Sequence, residues 1–351
     1  MNLMAKDTTW PIPDRMTSTG ASHRDAGIDA MRGIAILMVI GIHSLAQPLG
    51  SWGIPIDASL RPCVPIFLFA SGYLTAQSMR VPLWKRLKAT LIPYSIAFAA
   101  AYVYMALHNP TMDHRPITTI ARYVLAYAFV YYYVFVYIGC TLVLWLVFSV
   151  SRFGAPSSEP RLAVLLLLAI ALGLICGSYL DPLLSRLGFP DPIVEEVRMR
   201  DIPFWFSFMA FGALIGLVRT GSNLSDLRAL LSGATLLAYI IYAAVRLSGL
   251  GDAAPYDSLA FLGYAALLVI LTLALDIRSP YLAMLGAGSY FIYLWHIFIV
   301  MALRDHATLE RFGPAANFLV TFAVTALGSI AVLLAIQAAT PPPLRRWLGA
   351  S

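Results

Sequence analysis

The sequence predicts an all-α polytopic membrane protein of about ten transmembrane helices with both termini cytoplasmic. Three observations carry that expectation. The 351 residues are 60% hydrophobic and 12% charged, where water-soluble domains run near 45–50% and about 25%. Mean hydropathy is +0.76, and 18 Asp and Glu with 24 Lys and Arg are too few charges to wet a soluble surface. The apolar residues also fall into ten runs of span length, each near the 20 residues or so that cross a bilayer. Length alone would permit two soluble domains, but this composition excludes them.

The runs lie near 30–49, 62–79, 89–107, 124–150, 162–180, 202–218, 229–248, 258–275, 282–303 and 314–337. The fourth is over-long, so a short surface helix is expected over 118–129, with the span proper beginning near Tyr131. Residues 1–27 are polar and rich in Pro, Ser and Thr, which predicts a disordered cytoplasmic tail. That long lead-in carries Asp7, Asp14 and Asp25, unlike a cleaved signal peptide. Residues 28–340 are expected to form the membrane domain and 341–351 a short cytoplasmic tail.

Orientation follows from the basic residues. Counted on alternate sides of the spans, 15 of the 24 Lys and Arg fall on the N-terminal side. The opposite loops collect acid, including Asp181, Asp191, Glu195, Glu196 and Asp201. This bias places both termini inside. The net charge of +6 therefore reads as membrane topology, and no nucleic-acid partner is expected. Cys63, Cys140 and Cys176 sit in apolar runs without metal or disulfide spacing and read as small buried hydrophobes.

Ionisable groups inside spans are costly and usually face a bundle interior or a water-filled cavity. Arg32 and His43 stand eleven residues apart in the first span. Eleven steps of about 100° return to within about 20° of the same face, roughly 16 Å further along the axis. One stripe thus carries a guanidinium near the cytosol and an imidazole deeper in. His296, in the ninth span, is expected at similar depth. A neutral imidazole accepts a proton near pH 7, which suits base work on a hydroxyl. The plainer reading of each histidine is a helix-to-helix hydrogen bond.

The loop over 80–88 packs Arg80, Lys85, Arg86 and Lys88 into nine residues. It reads either as a headgroup anchor or as a phosphate-binding patch for a phosphorylated cofactor. Ser71-Gly72-Tyr73 puts a glycine in the second span, more often a close-packing device than a nucleophile turn. Tyr131, Tyr132, Tyr133 and Tyr137 read as interfacial or core aromatics, with sugar stacking as the functional alternative. In the outer loop over 181–201, Glu195 and Arg198 could hydrogen-bond sugar hydroxyls or simply form internal ion pairs. No P-loop, dinucleotide fingerprint or metal motif is present, and no metal is expected.

The segment from Ile28-Asp29-Ala30-Met31-Arg32-Gly33 through Gly41-Ile42-His43 resembles the opening signature of the membrane acyltransferase-3 family, which spaces a basic residue and a histidine in this way. Pro65-Ile66-Phe67-Leu68-Phe69-Ala70-Ser71-Gly72-Tyr73-Leu74 is similar to that family's second-span motif. Arg86 through Leu91-Ile92-Pro93-Tyr94, the run over 206–216 and Tyr290 to His296 resemble its later segments. The likeness runs in order along essentially the whole chain, with its specificity concentrated in the first 94 residues. One departure concerns the basic loop. The family often shows Arg-x-x-Arg, whereas Ala89 follows Arg86 three residues on, and Lys85 and Lys88 keep that spacing with lysines.

The resemblance implies a ten-helix enzyme moving an acyl group, commonly acetyl, from acyl-CoA to a carbohydrate hydroxyl across the membrane. Carried over by position, His43 is the catalytic histidine and Arg32 its motif partner; His296 is a further catalytic candidate that could orient the acceptor or help stabilise the oxyanion. Lys85, Arg86 and Lys88 would bind acetyl-CoA, and Ser71, Tyr73, Glu195 and Arg198 are candidates for the acceptor. Other partners would be the lipid bilayer and a carbohydrate acceptor, free or lipid-linked. A bacterial inner membrane is the location the family suggests. The contrasting expectation is a proton-coupled transporter exporting a lipid-linked sugar or small anion, which embedded histidines would also serve.

Overall fold

The computed structural model describes residues 25–109, 111–126, 130–152, 159–218, 224–249 and 256–350. The expected tail therefore lies outside the described residues as far as position 24. Among those described, the chain is helical and contains no strand.

Asp25 opens the first helix, α1 (Ala26–Ser44), by accepting the Gly27 and Ile28 amides at 3.0 and 3.2 Å. This satisfies two of the donors that a helix start leaves without partners. A short helix α2 (Gly53–Leu60) leads into α3 (Cys63–Ser78), and the two count as one apolar segment. Then come α4 (Leu83–His108) and a nine-residue helix, α5 (Pro116–Val124). The next span is α6 (Tyr132–Ser151), which begins where the tyrosine run predicts. α7 (Glu159–Arg186), α8 (Asp191–Met199), α9 (Ile202–Val218), α10 (Arg228–Ser248) and α11 (Leu259–Leu275) follow. The chain ends in α12 (Pro280–Ala287), α13 (Ser289–His306), α14 (Pro314–Ala339) and α15 (Pro342–Leu348).

Each of the ten apolar runs contains a helix, but not all are full spans. Eight segments are long and apolar enough to cross a membrane, and nine if the α12–α13 pair counts as one. That pair bends by 78°, at Gly288, where the sequence predicts a single straight helix over 282–303. α11 has 17 residues, about 25 Å at 1.5 Å per residue, short of a hydrocarbon layer of roughly 30 Å. α1 also ends at Ser44, five residues before the expected boundary. The molecule is nonetheless an integral membrane protein by its surface: Leu168, Leu230 and Leu327, on α7, α10 and α14, are 61–69% exposed. Leucines so placed on otherwise apolar helices need lipid around them.

The centre is built on two close helix contacts. α3 lies on α9, where a Cβ added to Gly72 would fall 1.9 Å from the Met209 carbonyl oxygen and one on Gly212 2.1 Å from that of Phe69. α1 lies on α12 in the same way: a Cβ on Gly286 would sit 1.8 Å from the Asp29 oxygen, and one on Gly33 2.1 Å from that of Leu282. Small residues let backbones approach this closely in membranes, where packing holds helices together. We expect Gly286→Ala to force α1 and α12 apart and cost about 1–3 kcal/mol, as overpacking does. Thermal unfolding of the detergent-solubilised protein should show a lower midpoint. Gly263→Ala, at a glycine with open space around it, should leave the midpoint unchanged. Equal midpoints for both variants would contradict the close-packing account.

Candidate active site

Two helices carry the site. The Arg32–His43 stripe of α1 faces α13, and each end of it meets a residue there. Arg32 Nη2 donates to Ser289 Oγ at 3.1 Å while its Nη1 pairs with Asp29 at 3.3 Å. The His43 ring stands 5.3 Å from that of His296, centroid to centroid, tilted by 38°. Ser289 and His296 are seven residues apart, two helical turns, and so share one face of α13. Tyr293 lies between them on that same face.

His296 is fully buried, and its Nδ1 lies 3.0 and 2.9 Å from the carbonyl oxygens of Ile292 and Tyr293. Carbonyls only accept, so Nδ1 carries the proton. In the neutral ring this leaves Nε2 as an acceptor. It is buried and has no hydrogen-bond partner among the described residues. Such an atom is costly unless something meets it during function. His43 is partly exposed and lies in the last turn of α1, which stops alongside the middle of α13. The helix end is closed by Arg304 of α13, whose Nη2 donates to the carbonyls of His43 and Leu45 at 2.8 and 3.2 Å. A cation capping a helix C-terminus meets both its free carbonyls and its dipole. Arg304 thereby ties the His43 backbone to the helix that carries His296.

A cavity of about 840 Å³ opens beside the other end of the stripe. Arg32, Lys85, Arg86, Lys88 and Arg346 line it, and no carboxylate does among the described residues. Lys85, Lys88 and Arg346 are exposed at its rim. Arg86 is directed inward by a relay. Its Nη2 donates to Thr75 Oγ1 at 2.5 Å, and that hydroxyl donates to the Ser71 carbonyl at 2.6 Å. Its Nη1 is buried without a partner among the described residues. An unpaired guanidinium nitrogen in a wall of positive charge is suited to an anion. Deeper in, the lining turns aromatic, with Phe67, Tyr133, Tyr137, Tyr290 and Tyr293. Several of these phenols are held by backbone: Tyr290 donates to the Thr90 carbonyl at 2.7 Å and Tyr293 to that of Val130 at 2.7 Å.

Not every residue singled out in the sequence joins this arrangement. The four acceptor candidates are not brought together. Ser71 lines the cation-rich cavity, whereas Tyr73, two residues on, lines a smaller one of about 400 Å³ with Gln77 and Glu159. Two steps along a helix turn a side chain through about 200°, which accounts for the separation. Glu195 is exposed on α8, and Arg198 is engaged in ion pairs with Asp181 and, at 3.2 Å, with Asp257. Within the segment 341–351, set apart as a tail by the sequence, Pro342–Leu348 form α15, which contributes Arg346 and Trp347 to the cavity wall.

Sequence reasoning missed a charged cluster at the His43 end. Asp57 is fully buried between Arg61, whose Nε and Nη2 lie at 2.8 and 2.9 Å, and Arg246 at 2.5 Å. Arg61 lies over the Tyr256 ring at 4.7 Å, and together with Arg304 it is a cation in electrostatic reach of His43. The available signal was Asp57 and Arg61 four apart, one helical turn, in an otherwise apolar stretch. No three His, Cys, Asp or Glu side chains among the described residues gather to hold a metal ion.

The comparisons agree with this architecture. A search of curated proteins and a search of solved structures each returned no match. A family model described as an acyltransferase domain matches residues 25–335. That stretch takes in α1 with its stripe, the basic loop, the cavity and α13, and so the chain belongs to the acyltransferase-3 family of membrane acyltransferases.

Proposed function

We propose that this protein transfers an acyl group, acetyl in the first instance, from acyl-CoA to a hydroxyl of a cell-surface or periplasmic carbohydrate. The observation that carries the reading is the cavity wall of five cations without a carboxylate, ending one tyrosine away from a histidine pair. The nucleotide phosphates of the donor would meet Arg86 Nη1 and the Lys85, Lys88 and Arg346 rim, with Arg32 further in. The positive-inside count puts this opening at the cytoplasm, where acyl-CoA is made. Exposed Trp84 and Trp347 beside the same opening fit residues at headgroup level. A bacterial inner membrane is the setting that suits these partners.

The chemistry follows from the two imidazoles. His43, partly exposed and outside the cavity lining, takes the proton of the acceptor hydroxyl as its oxygen attacks the thioester carbonyl carbon. The C–S bond then breaks, the new ester leaves on the acceptor, and the proton on His43 passes to the departing sulfur as free CoA. His296 serves better as an acceptor than as a donor, since its Nδ1 proton is given to the helix. It can hold the N–H of His43 or the incoming hydroxyl through Nε2. An acyl-histidine on the way is equally compatible with these positions.

Thioester consumption tests the reading and separates it from transport. Purified protein in liposomes, given acetyl-CoA and carbohydrate extracted from the source cell's surface, should release free CoA and leave ester-linked acetyl on the sugar. Retention of intact acetyl-CoA with movement of the sugar across the bilayer would instead establish the exporter.

A further inference from the structure

We propose that Tyr293 sets the length of acyl group that reaches the histidine pair, restricting the donor to short chains. This rests on the acyl-CoA reading of the cavity and adds a specificity determinant to it.

The argument begins with which residues line the cavity and which do not. Tyr293 and Tyr133 do, while His296 and His43 do not. Tyr293 is one helical turn before His296 on α13, with ring centroids 6.4 Å apart. His296 in turn stands 5.3 Å from His43. The spatial order is cavity, Tyr293, His296, His43. Tyr133 meets Tyr293 edge to face at 5.4 Å, so the end of the cavity is closed by two crossed rings.

The Tyr293 ring is fastened. Tyr293 is 5% exposed and its hydroxyl donates to the Val130 carbonyl at 2.7 Å. Tyr131, next along the chain from Val130, donates back to the Leu294 carbonyl at 2.8 Å. The two bonds cross between adjacent residues on each segment, holding the start of α6 to α13 and fixing the Tyr293 ring in place. A thioester whose carbonyl approaches the imidazoles must lodge its acyl substituent against this ring. A two-carbon group asks for little room against the ring, whereas a longer chain has to displace it, and packed walls do not yield cheaply.

Binding measurements need no acceptor. Free CoA, acetyl-CoA and hexanoyl-CoA are titrated separately into the solubilised full chain. The wild type should bind hexanoyl-CoA at least about tenfold more weakly than acetyl-CoA, the scale on which a filled pocket rejects added methylenes. Tyr293→Ala and the milder Tyr293→Leu should bring hexanoyl-CoA to within a few-fold of acetyl-CoA, read as the ratio of the two affinities within each variant. Tyr293→Phe, which keeps the ring, should retain the wild-type preference. A wild type indifferent to chain length, or a preference that survives in both Ala and Leu variants while free CoA still binds, overturns the assignment of Tyr293. Failure of free CoA to bind at all would overturn the donor-site reading, and this inference with it.

Discussion

His43→Ala is expected to lower CoA release from acetyl-CoA by about two to four orders of magnitude, the usual worth of a positioned general base. It should leave the binding of free CoA intact. The two outcomes are separable because His43 lies outside the cation-lined cavity and makes no side-chain hydrogen bond among the described residues that its removal would orphan. The backbone contact that closes α1, from Arg304 to the His43 carbonyl, also survives the substitution. His296→Ala should be milder in its chemical effect, since His296 is argued to hold a partner and not to take the proton. A His43→Ala protein that releases CoA at the wild-type rate would remove the base from the mechanism. Loss of free CoA binding along with activity would mean that the variant had disturbed the fold. Activity recovered by added imidazole, with the folded protein unchanged, would strengthen the case for His43 as the base.

Much of this geometry can be read from residue spacing. The eleven-residue step from Arg32 to His43 predicts a shared face, and both side chains do meet one helix, α13. The similar depth expected of His43 and His296 becomes a ring contact of 5.3 Å. What spacing does not carry is anything decided by a distant segment. The 78° bend before α13 depends on α12 lying against α1 at Gly33 and Gly286, a contact between residues some 250 positions apart. The Asp57–Arg246 pair joins residues 189 positions apart. Arg304 reads in the sequence as one more basic residue beyond a span, and only the early end of α1 gives it carbonyls to cap. Position 198 shows the reverse case. An arginine in an acidic loop suits a sugar and an ion pair alike; its partner Asp181 lies in that same loop, whereas Asp257 comes from a distant part of the chain. Local pattern therefore gives span order and helix faces, whereas partners across the bundle require the fold.

Arg86→Gln should raise the KM for acetyl-CoA by about ten- to a hundredfold while kcat changes little. That is the loss of one charge-assisted hydrogen bond, about 1.5–3 kcal/mol. The glutamine amide still reaches toward Thr75 as a donor, so the relay from Arg86 through Thr75 to the Ser71 carbonyl is the part best preserved. What disappears is the second guanidinium nitrogen, the buried and unpaired Nη1. Arg86→Lys sharpens the test, because lysine keeps the charge but is a single point donor where arginine is a fork. If the site needs only positive charge, Lys should restore the wild-type KM, and the lysines at 85 and 88 show that point charges already serve at the rim. If the fork matters, with one nitrogen held by Thr75 and the other on a phosphate, Lys should behave like Gln. The second result is expected, since a lone ammonium cannot satisfy both partners along the two directions that Arg86 spans. A KM unmoved by either substitution would leave Nη1 without a ligand and take the donor phosphates away from this wall.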